Sequence, residues 1–188
     1  MARQAQRVTR APEESKARIL DAAQIAFGTI GYARSGVREI AESAGVAPSL
    51  VMHYFGSKEA LFEQAFIRSV QMTAALSVAR ENFGLNSLEL LSEDQADNVR
   101  AAAMLAQSIG DPAARAVAGE LIEEAVLAPM ADWLGKPHAR GRAQLVAMLA
   151  LGFTSLRMLV PPDPQAKEDR YVADWMARTL QRLADGED

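Results

Sequence analysis

Apolar residues recur along most of the chain at the three-and-four spacing of an α-helix. Ile19, Ala22, Ala23, Ala26 and Phe27 make one such stripe, and Gly31 supplies its stop. Ser35 offers an N-cap to a second segment, where Val37, Ile40, Ala41 and Ala44 repeat the stripe until Gly45. Pro48 suits the first turn of a third helix that reaches Phe55, and Gly56 breaks it. Ser57 then caps a long helix expected to run to Phe83, with Leu61, Phe62, Ala65, Phe66, Met72 and Leu76 on its apolar face.

The start and stop signals continue beyond Phe83. "FGLNSLELL" reads as a connector holding a helical turn. Ser92 and Gln95 form a capping-box pair that opens a helix to about Ile109. Asp111 and Pro112 are a cap followed by a first-turn proline, and Pro129 should kink or split the helix around it. Helices from about Arg140 to Val160 and from about Gln165 to Leu183 complete the chain. No period-two pattern competes. The expectation is an all-α protein: a three-helix head over residues 1–56, then a helical bundle over residues 57–188.

Charge sharpens that division. The 188 residues carry a net charge of -4. Residues 1–58 hold 8 Lys and Arg against 5 Asp and Glu, whereas residues 59–188 hold 12 against 19. A basic head on an acidic body implies that the head meets an anionic partner. The absence of cysteine excludes disulfides, thiolate metal sites and cysteine nucleophiles, and two distant histidines, His53 and His138, leave little material for a zinc site. The opening "MARQAQRVTRAP" lacks the apolar run of a signal peptide, and the stretch from Ala143 to Val160 is too polar to span a membrane. A cytoplasmic protein without a cofactor is expected.

The second and third segments have the pattern of a helix-turn-helix over about residues 36–55. Ala41 is small enough for close approach, Gly45 permits the sharp turn, and Val51 packs the second helix on the first; Ile40, Val46 and Phe55 complete the small core. With "ILDAAQIAFGTIGY", "VREIAESAGV" and "HYFGSKEALF", the chain resembles the TetR family of bacterial transcription regulators over about residues 16–66. The resemblance implies a homodimer that binds a palindromic DNA operator and is released by a small-molecule effector. It implies contacts to bases from Pro48, Ser49, Met52 and His53, and contacts to phosphate from Tyr54 and Lys58. Ser35, Gly36 and Arg38 open the preceding helix, where the family also touches DNA. Lys58 carries a physical argument of its own: a cation in the first turn of a helix opposes the macrodipole, and a bound phosphate would reverse that cost. Arg3, Arg7 and Arg10 could form an arm for the minor groove.

The chain departs from the family pattern at Ala47, where Ser or Thr is usual, at Pro48, and at Met52, where tyrosine is common. These positions leave the operator sequence open. His53 has no carboxylate at i±3 or i±4 to orient it, so catalysis there has no support.

In the body, the segment from Arg140 to Val160 is apolar nearly all round, which requires burial on more than one side. Leu145, Leu149, Phe153, Leu156, Tyr171, Trp175 and Leu180 are expected at a dimer interface. Two heads in such a dimer would read half-sites about 34–36 Å apart, or a multiple of that. Phe66, Met72, Met104, Met130, Trp133 and Phe153 are candidate walls of a pocket for a largely apolar effector. Effector binding is expected to act on the heads through the Ser57–Phe83 helix. The sequence holds none of the common hydrolase, nucleotide-binding or metalloprotease motifs, so an enzyme is not expected; the remaining alternatives are a helical protein-interaction module or an all-α enzyme.

Overall fold

The computed structural model describes the backbone of residues 2–70, 72–92, 96–163 and 165–187, and the side chains of these except at 2–11, 73 and 96–98. In chain order the α-helices are α1 (Ala2–Ile30), α2 (Val37–Ser43), α3 (Pro48–Phe55), α4 (Lys58–Val70), α5 (Met72–Leu76), α6 (Phe83–Ser92), α7 (Ala96–Ile109), α8 (Pro112–Ile122), α9 (Ala128–Leu134), α10 (Ala139–Leu159) and α11 (Lys167–Asp185). A 3₁₀ turn spans Arg80–Asn82 and a π-helical turn spans Glu123–Leu127. No strand occurs among the described residues. The chain forms two compact units: Met1–Ser69 with Ala103–Ala118, and Val70–Ala102 with Gly119–Asp188. The expected boundary between residues 56 and 57 falls inside the first unit.

The first unit is built around α1. Its residues Ile19, Ala22, Ala23 and Phe27 are buried, as the stripe predicts. Phe27, Tyr32 and Phe62 close on one another, with ring centroids 5.1 Å apart for Phe27–Phe62 and 5.3 Å for Tyr32–Phe62, both edge-to-face. Two polar ties join α1 to α4: the buried Gln24 amide donates to the Ala65 carbonyl at 3.0 Å, and Arg68 donates to the Ala17 carbonyl and the Asp21 carboxylate. Asp111 caps α8, its carboxylate accepting the Ala113 and Ala114 amides.

Three local expectations change here. The N-terminal segment has no apolar stripe, yet α1 is helical from Ala2 and carries Pro12 inside it. Ala, Arg and Gln dominate that stretch and are strong helix formers; the side chains of Arg3, Arg7 and Arg10, on which the expected arm depends, lie outside the described residues. Ser35 is not the N-cap of α2. That position belongs to Gly36, while Ser35 is buried and its hydroxyl donates to the Gly31 carbonyl at 2.8 Å. The helix begun at Ser57 does not reach Phe83. Helix α5 ends at Leu76, where the Ser77 amide and hydroxyl both turn back to the Ala74 carbonyl.

The second unit has its own core, formed by Phe83, Leu127, Met130, Leu134, Ala143, Val146, Met176, Leu180 and Leu183. "FGLNSLELL" is a full helix rather than a connector, and α6 packs against α11 at Gly84. A Cβ at Gly84 would lie 2.1 Å from the Ala177 carbonyl oxygen, so no larger residue allows this approach. The Gly84 amide donates to Gln181, whose own amide donates to the Arg80 carbonyl. Pro129 splits its helix as expected: it lacks an N–H and crowds the preceding turn, and the backbone widens into the π turn before α9. The Ser92–Gln95 capping box involves Gln95, outside the described residues.

An arginine clamp joins the helix ends of this unit. Arg142 is only 2% exposed. Its guanidinium donates to the carbonyls of Leu134 and Gly135 at the end of α9, to those of Leu183 and Ala184 at the end of α11, and to Pro137. Arg80 donates to Trp133, Leu134 and Ala184 carbonyls and lies 4.3 Å from the Trp133 ring centroid. Two cations thus meet the negative ends of two helix dipoles and saturate carbonyls left without intrahelical partners.

Candidate nucleic-acid interface

Helix α2 ends in a Schellman motif. The Val46 amide donates to the Ala41 carbonyl at 2.9 Å and the Gly45 amide to Glu42 at 3.0 Å, with Gly45 at φ 65°. The chain therefore turns sharply after α2 and re-enters a helix at Pro48, the first residue of α3. Buried Ile40, Ala41 and Ala44 on one side meet buried Val51 and Phe55 on the other. This fixes which side of α3 points outward. Pro48, Ser49, Met52 and His53 are exposed, Met52 at 45%. Leu50 and Tyr54 are half-buried.

Arg38 is exposed on α2. Gly36 is half-buried, and the Glu39 carboxylate occupies the space that a side chain at Gly36 would need. Neither α2 nor α3 has a side-chain cap. Ser57 does cap α4: its hydroxyl accepts the Ala60 amide at 3.1 Å. Tyr54 is covered by the Lys16 ammonium, 5.4 Å from its ring centroid, which brings a cation of α1 beside α3.

Lys58 is half-buried and has a more definite environment than the sequence revealed. Its ammonium sits 4.4 Å from the Tyr32 ring centroid and 3.5 Å from the Ala33 carbonyl oxygen. Tyr32 in turn donates its hydroxyl to Glu59 at 2.7 Å. The Tyr32 phenol is pushed well above its ordinary range, by burial first and then by its hydrogen bond to Glu59 and the charges of Glu59 and Asp111. The hydrogen bond from Tyr32 is the main cause that holds the Glu59 carboxyl below its usual value, with help from the Ser57 hydroxyl and the Lys58 charge. Tyr32 and Glu59 are absent from the sequence-derived contact set. The signal was the adverse position of Lys58, which calls for a compensating group, but nothing in the spacing named Tyr32, 26 residues earlier.

The other predicted residues divide between the units. Phe66 and Met104 are fully buried in the first. Met72, Met130, Trp133 and Phe153 belong to the second, where Met130 is core and the others pack against it. Of the dimer candidates, Leu145, Leu156, Tyr171 and Trp175 are exposed, and Leu149 and Phe153 are half-buried against the core. Leu180 is not available to a partner. It is fully buried, because the inward side of α11 carries Met176, Ala177, Leu180 and Leu183 together. Among the described residues, no group of three or more His, Asp and Glu gathers as a metal site, and no helix is long and apolar enough to cross a membrane.

Comparisons with known proteins agree with this geometry. Residues 19–65 match the family of bacterial regulatory proteins of the tetR type, and residues 81–183 match a tetracyclin repressor-like C-terminal domain. The HTH-type transcriptional regulatory protein RaaS of Mycobacterium tuberculosis is 56% identical over 45 residues, 24% of this chain. That match spans only 21% of RaaS. A protein described as a TetR-family transcriptional regulator from Rhodococcus sp. has the same fold, with a TM-score of 0.71 at 17% identity over 92% of this chain and 99% of that one. The FadR regulator of Bacillus subtilis, solved with stearoyl-CoA, has a TM-score of 0.59 at 20% identity, covering 92% and 99%. NalD, described as the secondary repressor of a multidrug efflux pump in Pseudomonas aeruginosa, has a TM-score of 0.61 at 19% identity, covering 88% and 95%. On the strength of the two domain matches, the chain belongs to the TetR family of bacterial transcription regulators, which bind DNA, dimerise, take small-molecule effectors and are not enzymes.

Proposed function

We propose that the chain acts as a homodimeric repressor that reads a palindromic operator with α3 and releases it when a largely apolar small molecule binds the C-terminal helices. The observation that carries the reading is the outward side of α3, where Pro48, Ser49, Met52 and His53 stand exposed on a helix held from behind by Val51 and Phe55. A helix so supported fits the major groove, where Ser49 and His53 can hydrogen-bond to base edges and Met52 can meet a thymine methyl. Arg38, Tyr54 and Lys58 are the proposed phosphate contacts, with Gly36 contributing backbone. Ser35 leaves the contact set, since its hydroxyl is buried and committed to Gly31. Residues 1–56 are the proposed DNA-binding domain and residues 57–188 the regulatory and dimerisation domain.

Dimerisation through α10 and α11 draws support from their exposed apolar residues: Leu145, Met148, Leu151, Leu156 and Leu159 on α10, and Tyr171, Val172 and Trp175 on α11. So much uncovered apolar surface on two neighbouring helices marks a protein contact. Met72, Met130, Trp133 and Phe153 are the proposed pocket wall; Phe66 and Met104, buried in the other unit, are assigned to its core. The stearoyl chain of the stearoyl-CoA bound by FadR supports an effector with a large apolar part. An effector that prefers the DNA-incompetent state lowers operator affinity by the ratio of its affinities for the two states.

Selection of duplexes from a random-sequence pool tests the proposal. A palindromic consensus is expected, bound with an affinity that falls steeply as salt rises. Arg38→Glu should abolish binding while leaving the thermal unfolding unchanged. No enrichment, or salt-independent binding, would overturn the reading.

A further inference from the structure

The geometry points to Tyr32 as a positioning residue for DNA binding: its ring holds the Lys58 ammonium, and its hydroxyl holds the Glu59 carboxylate, so that Lys58 is presented to a phosphate. The inference rests on the reading of this surface as a DNA interface. Three observations carry it. First, Tyr32 is itself anchored, since its ring packs on Phe62 at 5.3 Å and on Phe27 at 5.9 Å, and both of those rings are fully buried. Second, the Lys58 ammonium occupies a defined place, 4.4 Å from the Tyr32 ring centroid and 3.5 Å from the Ala33 carbonyl oxygen. An ammonium has three N–H donors. One directed to the ring face and one to Ala33 leave the third for a phosphate oxygen. Third, the Tyr32 hydroxyl donates to the Glu59 carboxylate at 2.7 Å, which ties the phenol, and with it the ring beside Lys58, to the first turn of α4.

A lysine on a four-carbon stem otherwise loses side-chain freedom when it meets a phosphate. The ring meets that cost before DNA arrives. Tyr32 thus acts through Lys58 without touching DNA.

The test is a double-mutant cycle on the duplex that the wild-type protein selects from a random pool. Lys58→Gln should weaken binding about tenfold and lower the slope of log affinity against log salt by about one. Tyr32→Leu should weaken binding about two- to fivefold in the wild-type background, the scale of an exposed cation–π contact, and have no effect in the Lys58→Gln background. Tyr32→Phe, which keeps the ring, should retain most of the affinity. Reductive methylation supplies a readout without DNA: the Lys58 N-methyl protons should resonate upfield from the Tyr32 ring current and lose that shift in Tyr32→Leu. A Tyr32→Leu effect of equal size in both backgrounds, or an unshifted Lys58 methyl signal, overturns the inference while leaving the DNA-binding reading intact. Failure of the wild-type protein to select any duplex overturns both.

Discussion

Two helices of this protein face outward with opposite chemistry. Helix α3 exposes Pro48, Ser49, Met52 and His53, short or adaptable side chains, and its Tyr54 is met by the Lys16 ammonium. Helix α10 exposes Leu145, Met148, Leu151, Leu156 and Leu159, the last of these 81% uncovered. Each is held from behind by buried apolar residues: Val51 and Phe55 under α3, Ala143 and Val146 under α10. The same element therefore suits different partners according to what its free side carries. A mixed polar surface with cations suits a charged, hydrogen-bonding partner, while a bare apolar one suits a copy of itself. The two units also differ in how they are held. The first relies on caps, a glycine turn and an aromatic trio; the second relies on two arginines that gather helix ends.

Breaking the arginine clamp should have the largest effect. Arg142→Met would take the donor from the buried Leu183 carbonyl and from those of Gly135 and Pro137, while Arg80 still reaches Leu134 and Ala184; each such loss costs about 1–3 kcal/mol before relaxation. The expected loss is about 4 kcal/mol in chemical denaturation, with the first unit's aromatic signal less affected than Trp133 fluorescence. Next is the apolar face of α10. Leu156 is 61% exposed, so Leu156→Glu should spare the fold but weaken the dimer about a hundredfold, near 2.7 kcal/mol, as read by sedimentation equilibrium. A change of the same size in monomer stability instead would place Leu156 in the core and undo the contrast with α3.

Gly84→Ala sharpens the account of the second unit. The added Cβ meets backbone at Ala177, which cannot swing aside, so α6 and α11 must separate; overpacking of this kind costs about 1–3 kcal/mol. The smallest effect belongs to the first unit. Ser57→Ala removes the cap on α4 and should cost about 1 kcal/mol, without altering the dimer.

The head was readable from sequence because its signals are local. Gly31, Gly45 and Gly56 mark stops, Pro48 and Ser57 mark starts, and each acts on residues one turn away. Asp111 and Pro129 work the same way and were equally legible. Ser35 shows the limit of such signals. A serine before a helix can cap it or bond backward, and here the Gly31 carbonyl, left over from α1, takes the hydroxyl.

The body hid its main supports. Arg142 and Arg80 look like surface arginines in a sequence, because their partners are backbone carbonyls that carry no residue identity. Gly84 reads as a helix breaker until α11 is placed against it. Within the candidate site, the outward residues of α3 followed from its helical period, whereas the Tyr32–Lys58 contact depends on how α1 ends relative to α4. Leu180 was misplaced for the related reason that periodicity gives two sides to a helix but does not say which one meets the core.

The central claim is that the exposed side of α3 reads bases. Its most direct test is the base preference of His53→Ala compared with the wild-type protein, each determined by selection from the same random pool. The account predicts that preference is lost at one pair of symmetry-related positions, with the rest of the palindrome and the salt dependence retained. A profile that is unchanged, or that weakens evenly at every position, would contradict it.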